Sequence, residues 1–367
     1  MKKHTIMLLI LLMIISLVGC KKKDGTEVIP SVTPTVTPAV SPAVTTTVTP
    51  AIEPENHDGE AKSILTGLWV SKEISNKRPY AIMLNNIKMA SPQSGTMEAS
   101  ILYETLVEGG ITRLMGIFEE LNDTRIGSVR SARHYFVSFA DEYDAIYVHY
   151  GQTTYATKKI SALGIDTLSG LSSLGETVFY RDKSIKAPHN AFASKEGILK
   201  GTEIKKYEME YPKDYEGHFT FYGKDTDLTS DQEVEKITLE FSNYASPYFT
   251  YDSKEKVYNR FQFDTKHIDY NTGKQLTFKN IIVQFVKEWD IDQHDYQTMD
   301  IENAEGKGYY ITNGRKVDIT WKKNESTRKM RYYDSQDKEL TINPGKTYIA
   351  VFPDNRTGDV VLTGKIK

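Results

Sequence analysis

The 367-residue chain contains a single cysteine, and its position commits that thiol to something other than holding the fold together. Cys20 closes the run Leu17-Val18-Gly19-Cys20, behind the basic pair Lys2 and Lys3 and the apolar stretch Ile6 to Val18. That stretch is short for a bilayer span, and the small Gly19 sits where a signal peptidase cuts, which is the pattern of a bacterial lipobox. With Cys20 given to lipid, no disulfide framework and no thiol nucleophile remain for the rest of the chain. Roughly 300 residues must therefore be held by a packed core alone. The 23 tyrosines and 14 phenylalanines can bury large areas and favour strands, so a β-rich structure is expected.

Residues 1–19 are read as a signal peptide and residues 20–61 as a lipidated cysteine followed by a tether. Pro30, Pro34, Pro38 and Pro42 recur every fourth residue, then Pro50 and Pro54 follow among Val and Thr. Such a segment lacks the side chains for a core and reaches on the order of 100 Å when extended. Two acyl chains on Cys20, at about 0.8 kcal/mol per buried CH₂, give a stable membrane anchor on the extracytoplasmic face of the cell membrane, with palmitate among the expected lipids. Lys21, Lys22 and Lys23 lie beside it and can meet anionic headgroups. Loss of Lys2 and Lys3 takes the net charge from -3 to -5, which argues against a nucleic-acid partner.

The fold class expected is α+β, with a mixed α/β domain over residues 62–210 followed by an antiparallel β-rich domain over residues 211–367. Tyr80 to Leu84 is a continuous apolar run ended by Asn85-Asn86, as in a strand buried on both faces. The runs Ile101 to Glu108 and Ile111 to Phe118 flank Gly109-Gly110 and predict a hairpin with a two-residue turn. That register sets Leu106 opposite Arg113 and puts Glu104 and Glu108 on the face of the guanidinium. A helix follows with Ala132, Tyr135, Phe136, Phe139 and Tyr143 at helical spacing, capped by Ser131 or Ser128. Ala145 to Tyr150 and Val178 to Tyr180 read as strands, and Ser194 as the start of another helix. Beyond Tyr211 the pattern alternates, with Asn313-Gly314 a strong hairpin-turn signal.

Chemistry-bearing side chains gather at strand ends: Glu104, Glu108, Arg113, Arg130, Ser131, Arg133, His149, Arg181, His189 and Asn190. Ligands of sheets with helical crossovers commonly bind beyond the carboxyl ends of the strands. Arg130 and Arg133 precede a helix, where a phosphate or carboxylate is welcome. The alternative is an ion-pair network holding the hairpin to the helix. His149 and His189 have the residue type for proton transfer or for a satisfied core position. Arg113 beside Glu104 and Glu108 would keep both acids ionised, which speaks against a glycosidase pair. No G-x-S-x-G or H-E-x-x-H motif occurs, and the S-x-x-K matches at Ser253, Ser326 and Ser335 sit in hydrophilic turns. The aspartate runs Asp225, Asp227, Asp231 and Asp290, Asp292, Asp295 lack the glycine and terminal glutamate of a calcium loop, so neither a metal nor a cofactor is expected.

Five motifs in order resemble the YerB-like bacterial lipoproteins. They are Arg78 to Asn86, Pro92-Gln93-Ser94-Gly95, Tyr103-Glu104 through Val107 to Arg113, Gly127 to Arg133, and Ala187-Pro188-His189-Asn190. Tyr333-Asp334 and Thr341 to Tyr348 resemble the second segment of that family. The resemblance implies an envelope lipoprotein of two parts with no assigned activity. It also implies that an aspartate often ends the first strand, where this chain has Asn85. The reading that follows is a non-catalytic protein binding an anionic glycan or phosphate, or an envelope protein partner, through an Arg-rich rim. The alternatives are an enzyme acting on an envelope polymer or phosphorylated lipid-linked precursor, and an envelope scaffold.

Overall fold

The computed structural model describes residues 57–230, 232–293 and 295–364. Cys20, the signal segment and most of the tether lie outside the described residues. The tether ends earlier than residue 61, because Glu60–Lys62 already pairs antiparallel with Trp69–Ser71.

Ten strands form the central sheet. In chain order they are β1 (Tyr80–Asn86), β2 (Ile101–Leu106), β3 (Thr112–Phe118), β4 (Ile146–His149), β5 (Thr167–Ser169), β6 (Asn280–Val286), β7 (Ala304–Thr312), β8 (Arg315–Asn324), β9 (Lys329–Tyr333) and β10 (Thr347–Pro353). Their spatial order is β9-β8-β7-β6-β10-β2-β3-β1-β4-β5. Tyr80–Asn86 is buried along its whole length between β3 and β4, as its unbroken apolar run requires. The halves of the chain meet inside this sheet, where β10 pairs parallel with β2 on one side and with β6 on the other. Among the described residues of the second half, Thr220–Phe221 also pairs parallel with Thr341–Ile342, so the expectation of an antiparallel second half holds for most of its strand pairs and not for all.

One face of the sheet is covered by the helices His134–Asp141 and Thr154–Leu163, which close over Met83, Tyr103, Met115 and Tyr147. The opposite face carries the helix Lys195–Lys205 and a second, smaller sheet containing Lys236–Leu239, Tyr248–Asp252, Val257–Gln262 and Val360–Thr363. Phe249, Tyr258, Phe278 and Tyr348 pack between the two sheets. Both layers are needed because the inner strands present apolar side chains in each direction.

Local signals were mixed in their accuracy. Ser194 caps its helix by accepting from the Gly197 amide at 3.0 Å. Asn313 and Gly314, with φ of 49° and 71°, join β7 to β8 as a two-residue turn. The helix after Ala132 is not capped by Ser131 or Ser128: Arg133 stands at that position without a side-chain capping bond, while the Ser131 hydroxyl donates to the Tyr150 carbonyl at 3.2 Å. Val178 ends the short helix Gly175–Val178, so the next strand is Phe179–Arg181.

Candidate functional site

The hairpin register places the acids differently from the sequence expectation. Gly109 and Gly110 lie inside a five-residue connection closed by the Val107 amide on the Ile111 carbonyl at 2.9 Å. Thr105, not Leu106, is then opposite Arg113, and Glu104 is opposite Leu114. A shift of one residue reverses the face of every side chain on one strand. Glu104 thus shares the face of Leu102, Leu106 and Leu114, whereas Arg113 lies with Tyr103 and Met115 on the other. The two carboxylates do not flank one guanidinium.

On the helix-covered face, at the carboxyl ends of β1, β2 and β4, three arginines gather and one of them, Arg133, pairs with a carboxylate. Glu108 takes two bonds from Arg133, each 2.5 Å long, through Nε and Nη2. Burial pushes the Glu108 carboxyl up, but the bonds and charge of Arg133 outweigh it and hold the group below its ordinary range. Arg113 is buried and donates to the Ser131 carbonyl at 2.8 Å, with no carboxylate in ion-pair contact among the described residues. Burial, and then the charges of Arg133 and Arg130, bring the Arg113 pKa down to about 9. Arg130 is half-buried and donates from Nη1 to the Pro188 carbonyl at 3.1 Å. Burial and Arg133 lower its pKa as well. Buried polar atoms at this rim without hydrogen-bond partners among the described residues include Arg130 Nε and the hydroxyl of Thr105, the cross-strand neighbour of Arg113.

The remaining candidates divide. His149 is fully buried, with Nδ1 2.8 Å from the Gly151 carbonyl and Nε2 2.9 Å from the Thr167 hydroxyl. Burial lowers its pKa to about 4, so it is a core histidine with both ring nitrogens engaged. His189 is half-buried beside Asn85, whose Nδ2 lies 3.0 Å from His189 Nδ1, and burial with Arg130 and Lys186 lowers its pKa. Arg181 stacks over Tyr150 at 4.7 Å and donates to Asn190 Oδ1 at 2.7 Å. A cavity of about 620 Å³ adjoins it, lined in part by Tyr150, Ser172, Ser173, Tyr180 and Arg181. Larger apolar hollows lie elsewhere, against Phe285 and Tyr309 and against Tyr80 and Leu199.

Glu104 belongs to a different assembly that the sequence did not reveal. Its Oε1 accepts from Asn86 at 2.9 Å and Thr112 at 2.7 Å, and its Oε2 from Arg260 at 2.5 Å and Tyr348 at 2.7 Å. Arg260 also contacts His267, whose other nitrogen lies 2.7 Å from Gln93 Oε1. Burial and then Arg260 hold His267 well below its ordinary pKa, so a neutral ring accepts from the guanidinium. Glu104 and Arg260 both have fully buried side chains, and the pair joins the sheet strand Ile101–Leu106 to the second-sheet strand Val257–Gln262. The one available signal was alternation: Tyr258, Arg260 and Gln262 fall on the same inward face of their strand.

Comparison with known proteins places this framework. Residues 65–208 match the N-terminal domain, and residues 237–349 the C-terminal domain, of DUF3048, described as a protein of unknown function. A Bacillus subtilis (strain 168) protein named as a lipoprotein, YerB, is 33% identical over 294 residues, covering 80% of this chain and 86% of that protein. The crystal structure of YerB from Bacillus subtilis superposes with a TM-score of 0.74 at 30% identity, over 83% of this chain and 100% of the other. No helix among the described residues is long and apolar enough to cross a membrane. From sequence and fold together, this chain belongs to the YerB-like family built from the DUF3048 N- and C-terminal domains.

Proposed function

We propose that this protein is an extracytoplasmic lipoprotein, anchored through acylated Cys20, that binds an anionic envelope ligand at the Arg113, Arg130 and Arg133 rim without catalysing a reaction on it. The lipobox and the lipoprotein relative support the anchor. The observation that carries the binding reading is the imbalance of charge: of the neighbouring Arg113, Arg130 and Arg133 only Arg133 pairs with a carboxylate, Glu108, while Arg113 and Arg130 donate to the Ser131 and Pro188 carbonyls. Burying cations without partners is costly, and an incoming phosphate or carboxylate relieves that cost through charge-assisted bonds. Arg133 is committed to Glu108 and Arg113 to the Ser131 carbonyl, so Arg130 is the contact residue and the other two set the local potential. His149, engaged at both nitrogens, offers no proton relay.

The test is calorimetric titration of the detergent-solubilised full chain with inorganic phosphate and with galacturonate. The parent should bind at least one of them, and Arg130→Ala should lose about tenfold or more in affinity, as expected for a charge-assisted contact. Unchanged binding by the variant removes Arg130 from the site. No binding of either anion by the parent ends the reading.

A further inference from the structure

His189 has one ring nitrogen engaged by the protein and the other left over. Its partner is Asn85, a buried residue of β1 whose side-chain amide serves two neighbours: Nδ2 donates to the Ser128 hydroxyl oxygen at 3.3 Å and faces His189 Nδ1 at 3.0 Å. The backbone holds that amide in place. The Asn85 N–H donates to the Ser128 carbonyl at 2.9 Å, and the Asn85 carbonyl accepts from Gln93 Nε2 at 2.9 Å. An amide N–H only donates, so Nδ1 is the acceptor and the proton of the neutral ring goes to Nε2. Nε2 has no hydrogen-bond partner among the described residues, on a ring that is half-buried.

Arg130 meets the same segment one residue earlier. Its N–H donates to the Met83 carbonyl of β1 at 3.0 Å, and its Nη1 donates at 3.1 Å to the Pro188 carbonyl, which belongs to the peptide unit leading into His189. Three covalent bonds, at most about 4 Å, separate that oxygen from the His189 Cα, so the guanidinium nitrogen stands within about 7 Å of it. The charges acting on the ring are those of Arg130 and Lys186, which with burial lower the His189 pKa and keep the ring neutral at about pH 7. A proton on Nδ1 would also set N–H against the N–H of Asn85, so charge and geometry favour one tautomer. These two side chains are then donors only: a guanidinium has no lone pair to offer, and His189 has given its own to Asn85. An ammonium group finds no acceptor on either, whereas an ionised phosphate or carboxylate oxygen, which only accepts, matches both.

Resting on the anion-binding reading of the rim, we propose that His189 is a second ligand contact, donating from Nε2 to an oxygen of the anion held at Arg130, and that Asn85 is the positioning residue that fixes the ring in this tautomer. Arg130 supplies charge and His189 a directed, neutral hydrogen bond, so the ligand is selected for its acceptors as well as for its charge.

The first measurement is histidine-selective nitrogen NMR of the detergent-solubilised full chain at about pH 8, where histidine is neutral, before and during titration with inorganic phosphate and, separately, with galacturonate. His189 is identified by the signals missing from His189→Phe. Its proton should lie on Nε2 with Nδ1 bare, and the Nε2 signal should shift with at least one of the anions along the calorimetric binding curve. His189→Phe, which keeps a ring and removes the donor, should bind that anion about threefold or more weakly. Asn85→Asp replaces the donor by an acceptor, so it should put a proton on Nδ1 and raise the His189 pKa by about one unit or more. Melting profiles establish that the variants fold, and the spectrum of the parent decides the proposal if either melts early. A proton on Nδ1 in the parent, or an Nε2 signal that no bound anion moves, overturns the proposal. So does a folded His189→Phe that loses less than about threefold, or a folded Asn85→Asp with the tautomer and pKa of the parent. The rim reading survives each of these if Arg130→Ala still loses about tenfold. If the parent binds neither anion, the rim reading fails and the His189 contact with it.

Discussion

Replacing Arg260 by methionine tests whether the Glu104 assembly is what couples the two sheets. The substitution keeps the length of the apolar stem but removes the cation, leaving a carboxylate with zero exposure. Oε1 would retain Asn86 and Thr112, whereas Oε2 would keep only Tyr348. Removing one partner of a buried ion pair typically costs about 3–5 kcal/mol, because the charge left behind is neither solvated nor compensated. Spread over a body of this size, where 1 kcal/mol corresponds to roughly 2 °C, the midpoint of thermal unfolding should fall by about 6–10 °C. Circular dichroism melts of the full chain at constant pH provide the assay. Arg260→Met combined with Glu104→Leu should recover more than half of the loss, since the uncompensated charge has gone. A single variant melting within about 1 °C of the parent would refute the reasoning, as would a double variant less stable than the sum of its parts.

Other outcomes follow from individual residues. The buried His149 binds a proton less readily than an unfolded histidine, so between pH 6.5 and about 4 the unfolded state holds more protons and stability falls with acidification. His149→Gln should flatten that part of the stability–pH curve measured by urea unfolding, and an unaltered slope would exclude His149 as its source. Gly127→Ala should destabilise by about 1–3 kcal/mol, because φ is 144° and a Cβ would stand 2.7 Å from the Val129 amide nitrogen. A parent-like melt would show that the Arg130 loop tolerates a side chain there. Cys20→Ser should release the protein from membranes or leave an unprocessed precursor in a fractionation assay; normal processing with retention would contradict lipidation.

Much of the frame was readable from local pattern. The unbroken run Tyr80 to Leu84 identified a central strand, and Asn313-Gly314 identified its hairpin, because burial on both faces and a two-residue turn each leave a mark within a few residues. The proximity of Glu108 and Arg133 was also legible, as the ion pair between hairpin and helix that the sequence offered as the alternative to a ligand site. Pairing register was not. Gly109 and Gly110 have positive φ, as a two-residue turn would demand, yet the connection is five residues long, and that difference moved Glu104 to the far side of the sheet. Its true partners, Arg260 and Tyr348, are 156 and 244 positions away, and neither carries any sign in its own neighbourhood of what it meets. Contacts at that separation are set by topology, which sequence periodicity does not encode.

The placement of β10 bears on when this molecule becomes itself. Thr347–Pro353 lies between β2 and β6, so the interior of the sheet is completed by a strand roughly 240 positions after its neighbour. A chain emerging from its N-terminus can collapse and form its helices, but the edges of β2 and β6 stay unpaired until that last segment arrives. Delayed closure makes the interval between synthesis and completion the period when exposed strand edges are most open to mispairing.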